Sequence, residues 1–273
     1  MLTRAAKFDW YQSTVDVKDP EQSGLVAALL RAWELSDWVP ARNLNGYERG
    51  GAIVRAGRTL AHVCWGGQPG VNVKSTSDES PVLARALQGF GVPHLPTRVD
   101  SCCDWVEAGL FDSLAAHLIA YAKDNRLAIC QQGDWERGKA RTLYVGSKDS
   151  PVRLVLYEKG YEQGVGAPLD WVRLEVRVRP KKAHRATVAR WDADEVFCAG
   201  WVPGALEALG WGDLQSRAVG TVWKRSDVER ARAALLRQYG RILDAWADEV
   251  GGWDALGPAM AAMQEAMQPK ERA

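Results

Sequence analysis

The sequence predicts an α+β fold: a central antiparallel sheet with flanking helices, followed by a helical C-terminal region. Two observations carry this reading. Segments with strand character crowd into the first 180 residues, and helical periodicity takes over after Pro180; such segregation, as opposed to alternation, favours an antiparallel sheet. Within residues 171–179, Val172, Leu174, Val176 and Val178 alternate with Arg173, Glu175, Arg177 and Arg179. That is the period-two pattern of a sheet with one apolar and one polar face. The expected division is an α+β domain over 1–180 and a helical region over 181–273.

Residues 8–17 mix aromatic, β-branched and polar side chains and open the sheet. Leu25, Leu29, Leu30 and Trp33 fall at helical spacing, which predicts a helix over 21–34. Glycine-rich strands are expected at 46–55, 59–66 and 71–75, then a helix at 79–87, a strand at 94–103 and an amphipathic helix at 106–125. Strands at 126–132, 140–147, 152–158 and 171–179 follow, with Asp149-Ser150-Pro151 as the hairpin turn between the middle pair. Helices are expected over 181–192, 194–208 and 226–249, the last opened by a capping-box spacing from Ser226 to Glu229. A further helix starts near Asp254, with a frayed end over 269–273.

A chain of 273 residues buries a full core without staples. Its 47% apolar and 25% charged content is that of a soluble globular protein. Five cysteines, with no C-x-x-C pair, disfavour a disulfide framework or a zinc knuckle and fit a reduced, cytoplasmic setting. No run of about 18 apolar residues occurs, so no membrane partner is expected. Net charge is only +1, but residues 137–190 hold 13 Lys/Arg against 5 Asp/Glu. That local excess suits a phosphate backbone, and equally a solvated face.

Four blocks could carry chemistry. In Thr97-Arg98-Val99-Asp100-Ser101-Cys102-Cys103-Asp104, strand alternation puts Arg98, Asp100, Cys102 and Asp104 on one face. Two carboxylates there suit a hard divalent cation; a structural ion pair would look the same. The second block is the Arg173, Glu175, Arg177 face described above. In the third, Arg153, Val155 and Tyr157 share a face opposite Val152, Leu154 and Leu156, so Tyr157 stands on the polar side. A phenol there can act as a nucleophile, but with a pKa of about 10 it needs a nearby cation; Lys159 is two residues on. A tyrosine on a strand is, in general, more often a packing residue. The fourth is Gly146-Ser147-Lys148, a turn whose backbone N–H groups could hold a phosphate, although many hairpin turns share it.

The order T-R-V-D, T-L-Y-V-G-S-K-D-S, R-L-V-L-Y-E-K-G, W-V-R-L-E-V-R resembles the replication initiation factor family over about residues 95–180. Its members are rolling-circle initiators of plasmids, filamentous phages and conjugative transposons. The resemblance implies a fold related to the HUH endonucleases and an enzyme that nicks and rejoins one DNA strand at an origin. It makes Tyr157 the nucleophile of a 5′-phosphotyrosyl intermediate. Asp100 and Glu175, with Asp104 as a further candidate, become ligands of Mg²⁺ or Mn²⁺. Arg98, Lys159 and Arg173 become contacts of the scissile phosphate. The chain departs from the pattern in two ways. The paired histidines of HUH enzymes are absent: His62, His94, His117 and His184 are scattered. The additional acid expected on the strand before T-R-x-D is replaced by Lys74, leaving a water, Asp78 or Glu79 to fill in.

On this reading the substrate is single-stranded or hairpin origin DNA. Arg153, Lys148, Lys181, Lys182, Arg185 and Arg190 would meet phosphates, and Trp105, Trp135 and Trp171 could stack on bases, although core packing is the commoner use of tryptophan. A host helicase and a second copy of the chain are the further partners it allows. The competing readings are an origin-binding regulator without nicking, a helicase-recruiting protein, and a relaxase of a conjugative element.

Overall fold

In the computed structural model the described residues are 2–220 and 227–267. Ten strands form one sheet: β1 (Lys7–Val15), β2 (Asp37–Pro40), β3 (Arg49–Arg55), β4 (Arg58–Trp65), β5 (Val71–Thr76), β6 (His94–Val106), β7 (Ile129–Asp134), β8 (Lys139–Val145), β9 (Val152–Glu158) and β10 (Trp171–Val178). Their spatial order is β2-β3-β4-β5-β1-β6-β10-β9-β8-β7, and every neighbouring pair is antiparallel. The expected class is what folds. Its centre is β6, whose thirteen residues run between β1 and β10. The strand extends three residues past the expected Cys103, because the β10 register continues to Val106.

The apolar face of the sheet forms the core. Tyr11, Val73, Val99, Cys103, Leu143, Leu154, Leu156, Leu174 and Val176 are all fully buried, and removal of this apolar surface from water drives the packing. Against the strands lie α1 (Leu25–Ala32), α2 (Ser80–Gln88) and α3 (Leu110–Asp124); α2 packs on β1 and β5, and α3 on β8 and β9. The start of α3 is four residues later than its apolar pattern suggests, because β6 occupies 104–106 and Gly109, at φ 74°, turns the chain.

Helical periodicity beyond Pro180 yields short pieces. The expected helix over 181–192 is reduced to α5 (His184–Val188). That over 194–208 breaks into α6 (Ala193–Val196), opened by an Asp192/Glu195 capping box, and α7 (Val202–Leu206), with Pro203 in its first turn. Between β9 and β10, Lys159–Gln163 forms one turn of helix, α4. Neither α4 nor the four-residue edge strand β2 is long enough to leave a periodic signal.

Chain contacts divide the molecule into Met1–Val222 and Trp223–Ala273. Composition changes at Pro180, but Val188, Phe197, Val202 and Leu206 join the core of the first unit. The second unit contains α8 (Asp227–Val250) and α9 (Trp253–Met267), joined through Leu243, Ala247 and Leu256. The capping residue expected at Ser226 and the frayed end at 269–273 lie outside the described residues. No described helix is long and apolar enough to cross a membrane.

Candidate functional site

The polar face of the sheet collects the predicted residues by register. Opposite Arg173 on β10 stand Asp104 on β6 and Tyr157 on β9; opposite Arg177 stand Asp100 and Arg153; opposite Glu175 stand Cys102 and Val155. Directly opposed residues point to the same side of a sheet, about 5 Å apart. Three of the four blocks, scattered over about 80 residues, thus meet on the neighbouring strands β6, β10 and β9.

Tyr157 is mostly buried. Burial raises its phenol above the ordinary value, the negative charge of Glu175 raises it further, and Arg173 opposes both. Lys159, itself buried, opens α4 and is turned so that its ammonium stands 5.5 Å from the Tyr157 ring centroid and 2.7 Å from Glu162.

Arg173 is nearly inaccessible and its donors are committed. Nε and Nη2 donate to Asp104 at 2.7 and 2.8 Å, and Nη1 donates to Asp9 Oδ1 at 2.7 Å. Burial works against its charge, but the Asp104 hydrogen bonds and the surrounding anions raise its pKa. In return, against the upward pull of burial, Arg173 together with Trp171 Nε1 holds the Asp104 carboxyl low. Arg173 therefore anchors two aspartates in the site rather than presenting open donors.

Asp100 and Glu175 form the other half. Burial pushes the Asp100 carboxyl up to about 7, with Glu175 adding to the rise and Arg98 opposing it. Arg98 Nε donates to both Asp100 oxygens at 3.0 and 2.9 Å. Arg177 Nε donates to Glu175 at 2.6 Å and lies 3.8 Å from Asp100. A buried Asp100 whose ionisation is opposed by burial and by the charge of the neighbouring Glu175 is chemistry that a hard dication relieves. The pair is of the oxygen-donor type that suits Mg²⁺ or Mn²⁺, with each carboxylate already held by an arginine. Asp104 is drawn to Arg173, and among the described residues no three acid, histidine or cysteine side chains converge on one point.

Asp9 is the residue the sequence reading passed over. A bulge between Phe8 and Trp10 breaks the β1–β6 register; Phe8 and Tyr11 both enter the core, and Asp9 and Trp10 both face the polar side. Burial and Glu175 raise the Asp9 carboxyl, whereas Arg173 and Lys159 lower it. The strand that neighbours β6 on this side is β1 and not β5, so the second acid that reaches Arg173 is Asp9 and comes from β1. Asp78 instead pairs with Lys7, and Glu79 is held by Trp33 and Arg58. The only local clue was an acid inside an aromatic strand, Phe8-Asp9-Trp10.

The other predicted contacts scatter. Arg98 lies 4.1 Å from the Trp10 ring, which Lys74 approaches at 4.8 Å, and Arg153 lies 4.0 Å from the Tyr144 ring. Lys148 is exposed in the β8–β9 turn. Within that turn the Gly146 N–H is spent on Ala128 O at 2.9 Å, so one of the three donors that would cradle a phosphate is taken. Lys182 and Arg190 are exposed, Lys181 is half-buried, and Arg185 turns inward to the carbonyls of Leu95 and Pro96 at 2.6 and 3.0 Å. Trp105, Trp135 and Trp171 pack or bond internally, to Thr3 O, Gln132 O and Asp104. His117 Nε2 donates to Ala205 O at 2.9 Å, a structural contact.

Residues 98–192 match a family model described as replication initiation factor, a span that holds every predicted site residue. Among solved structures, the chain is similar to the rolling circle replication initiator protein from Geobacillus stearothermophilus. The identity is 20%, the TM-score 0.52, and the alignment covers 80% of this chain and 99% of that one. At that identity the likeness is one of fold. No curated protein matches the chain.

Proposed function

We propose, for a chain whose residues 98–192 match the replication initiation factor family and whose fold is that of a rolling circle replication initiator, that it nicks and rejoins one DNA strand at an origin. The observation that carries this is the placement of Tyr157 on the polar sheet face, directly opposite Arg173 and within the field of Glu175, Asp9 and Lys159. The Tyr157 oxygen attacks the scissile phosphorus; the O–P bond to tyrosine forms as the P–O3′ bond breaks. The phenol proton leaves to solvent or a neighbouring carboxylate, and the departing 3′-oxygen takes one up. Attack by a 3′-OH on the phosphotyrosine reverses the exchange and closes the strand.

The raised phenol is the obstacle to this step. Lys159 and Arg173 favour the phenolate, and burial and Glu175 oppose it. Asp100 and Glu175 would hold a divalent cation, which would supply Lewis-acid polarisation of the phosphate and cancel the charge of Glu175. Asp9 and Asp104 fix Arg173, and through it the geometry around Tyr157. The resemblance extends the proposal to a host helicase and a homodimer, which pull-down and gel filtration would test.

Incubation with a labelled single-stranded origin oligonucleotide and Mn²⁺ tests the proposal. A covalent adduct is expected that vanishes in Tyr157→Phe; an adduct undiminished in that variant would eliminate the assignment. Asp100→Ala and Glu175→Ala should lose cleavage and keep much of the DNA binding. A second reading, an origin-binding regulator without nicking, draws on the neutralisation of both carboxylates by Arg98 and Arg177. It predicts salt-sensitive binding with no adduct at all. A relaxase would share the adduct chemistry and differ in its DNA site.

A further inference from the structure

A cleft of about 620 Å³ opens on the same polar face, at the opposite end from Tyr157. From Asp104, in the Tyr157 row, to Arg98 beside this cleft is six residues along β6, or about 20 Å. Gln12, Asn72, Tyr47, Pro69, Leu95 and Arg185 are among the residues that line it, with Asp16 its one acid. Its location follows from a second irregularity in the β1–β6 register, between Gln12 and Ser13, which turns Leu95 out while Pro96 stays buried.

The chemistry of the cleft differs from that of the nicking centre. Gln12 Nε2 donates to Asn72 Oδ1 at 3.1 Å, and Asn72 Nδ2 donates to Ser13 O at 3.4 Å. The two amides are therefore fixed in orientation before any ligand arrives. Arg185 is held by two carbonyls and Thr14 Oγ1, forms no ion pair among the described residues, and has its pKa lowered by burial. Apolar lining from Tyr47, Pro69, Pro93 and Leu95, with preset amide donors and acceptors, suits a planar heterocycle with its own donor–acceptor edge. Gln and Asn amides match the N6 and N7 edge of adenine in particular.

We infer that this cleft holds one unpaired base of the DNA strand, several nucleotides from the phosphate at Tyr157, and that Gln12 and Asn72 read it. This rests on the nicking proposal only for the identity of the strand. Bases splayed from single strands are read in this manner, by an aromatic or apolar wall and hydrogen bonds to an exposed edge. Trp10, directly opposite Asp100 in the β1–β6 register and two residues from Gln12, stands between the cleft and the Asp104 row on the path the backbone would take, flanked by Lys74 and Arg98.

The test is fluorescence anisotropy of the full chain with labelled oligo(dA), oligo(dC) and oligo(dT) at fixed salt. The wild type should prefer oligo(dA) by about fivefold or more. Gln12→Ala and Asn72→Ala should reduce the preference to below about twofold with the salt dependence retained. Leu95→Trp, at a partly exposed position, fills the cleft without touching the core and should do the same, should the buried substitutions fail to fold. Equal affinity of the wild type for the three, or a preference intact in Leu95→Trp, would overturn the inference. Free dAMP matching oligo(dA) in affinity would assign the cleft to a mononucleotide and overturn the strand. Adduct formation is scored separately, on the single-stranded origin oligonucleotide with Mn²⁺: a base preference without adduct supports the cleft while sinking the nicking reading, and the reverse sinks the cleft alone.

Discussion

Arg173 and Asp9 show how single residues set this site. A buried guanidinium with hydrogen-bonded carboxylates on two sides is costly to form and far costlier to leave half-paired. Arg173 reaches both Asp104 on β6 and Asp9 on the β1 bulge, so it ties three strands together at the position facing Tyr157. Asp9→Asn removes one anchor and leaves the Asp104 pair intact. Its expected effect is a fall of about 10–100-fold in adduct formation, the range typical of groups that orient a site from behind, beyond what a lowered thermal melt accounts for. An adduct rate equal to wild type would remove Asp9 from the site. Alternation identified Tyr157, Glu175, Asp100 and Arg173 because each lies on a regular strand. Asp9 escaped because a bulge breaks alternation, and only the cross-strand partner shows which way the extra residue points.

At the scale of elements, the turn from β9 into α4 places Lys159. Had β9 simply continued, Lys159 would follow Tyr157 at strand spacing; instead one helical turn begins at Lys159 and carries its ammonium back towards the Tyr157 ring. The turn depends on Gly160, where a Cβ would lie 2.0 Å from the Pro168 carbonyl oxygen. Gly160→Ala must therefore displace backbone, at a cost of about 1–3 kcal/mol. Denaturant unfolding should show that loss, and nicking should fall further than stability alone accounts for, since Lys159 moves with α4. Unchanged stability would mean that the 164–170 loop yields freely. The Tyr157-x-Lys159 spacing was legible in the sequence, but the geometry it acquires was not, because a five-residue helix leaves no periodic trace.

For the molecule as a whole, buried titratable groups couple the fold to pH. His94 and the fully buried Tyr11 share a hydrogen bond of 2.9 Å in the core near the start of β6, and burial lowers His94 from the ordinary 6.5 to about 4. A histidine depressed in the folded state contributes stability that is present above pH 6.5 and lost as pH falls towards 4. The expected loss is on the order of 2 kcal/mol. Asp100 acts with the opposite sign, since its raised carboxyl costs stability as pH rises from about 4 to about 7. Thermal melts of wild type and His94→Asn between pH 4.5 and 7 separate the two. The variant should lose the His94 part of the slope, and an identical pH profile would refute its assignment.

At that same scale the division between sequence and tertiary structure becomes plain. Alternation and segregation, read from residues such as 172–178 and 152–157, determined an antiparallel α+β fold and which side chains share its polar face. Those properties are local, set by the two-residue period of a strand and the need to bury one face. Strand order is not local. Only the tertiary structure decided that β1 lies between β5 and β6, so that Asp9 rather than Asp78 or Glu79 joins the site, that Arg185 turns inward to a cleft, and that helices beyond Pro180 share the first core. Each depends on which surfaces bury the most apolar area together, a sum over the whole chain that no single segment carries.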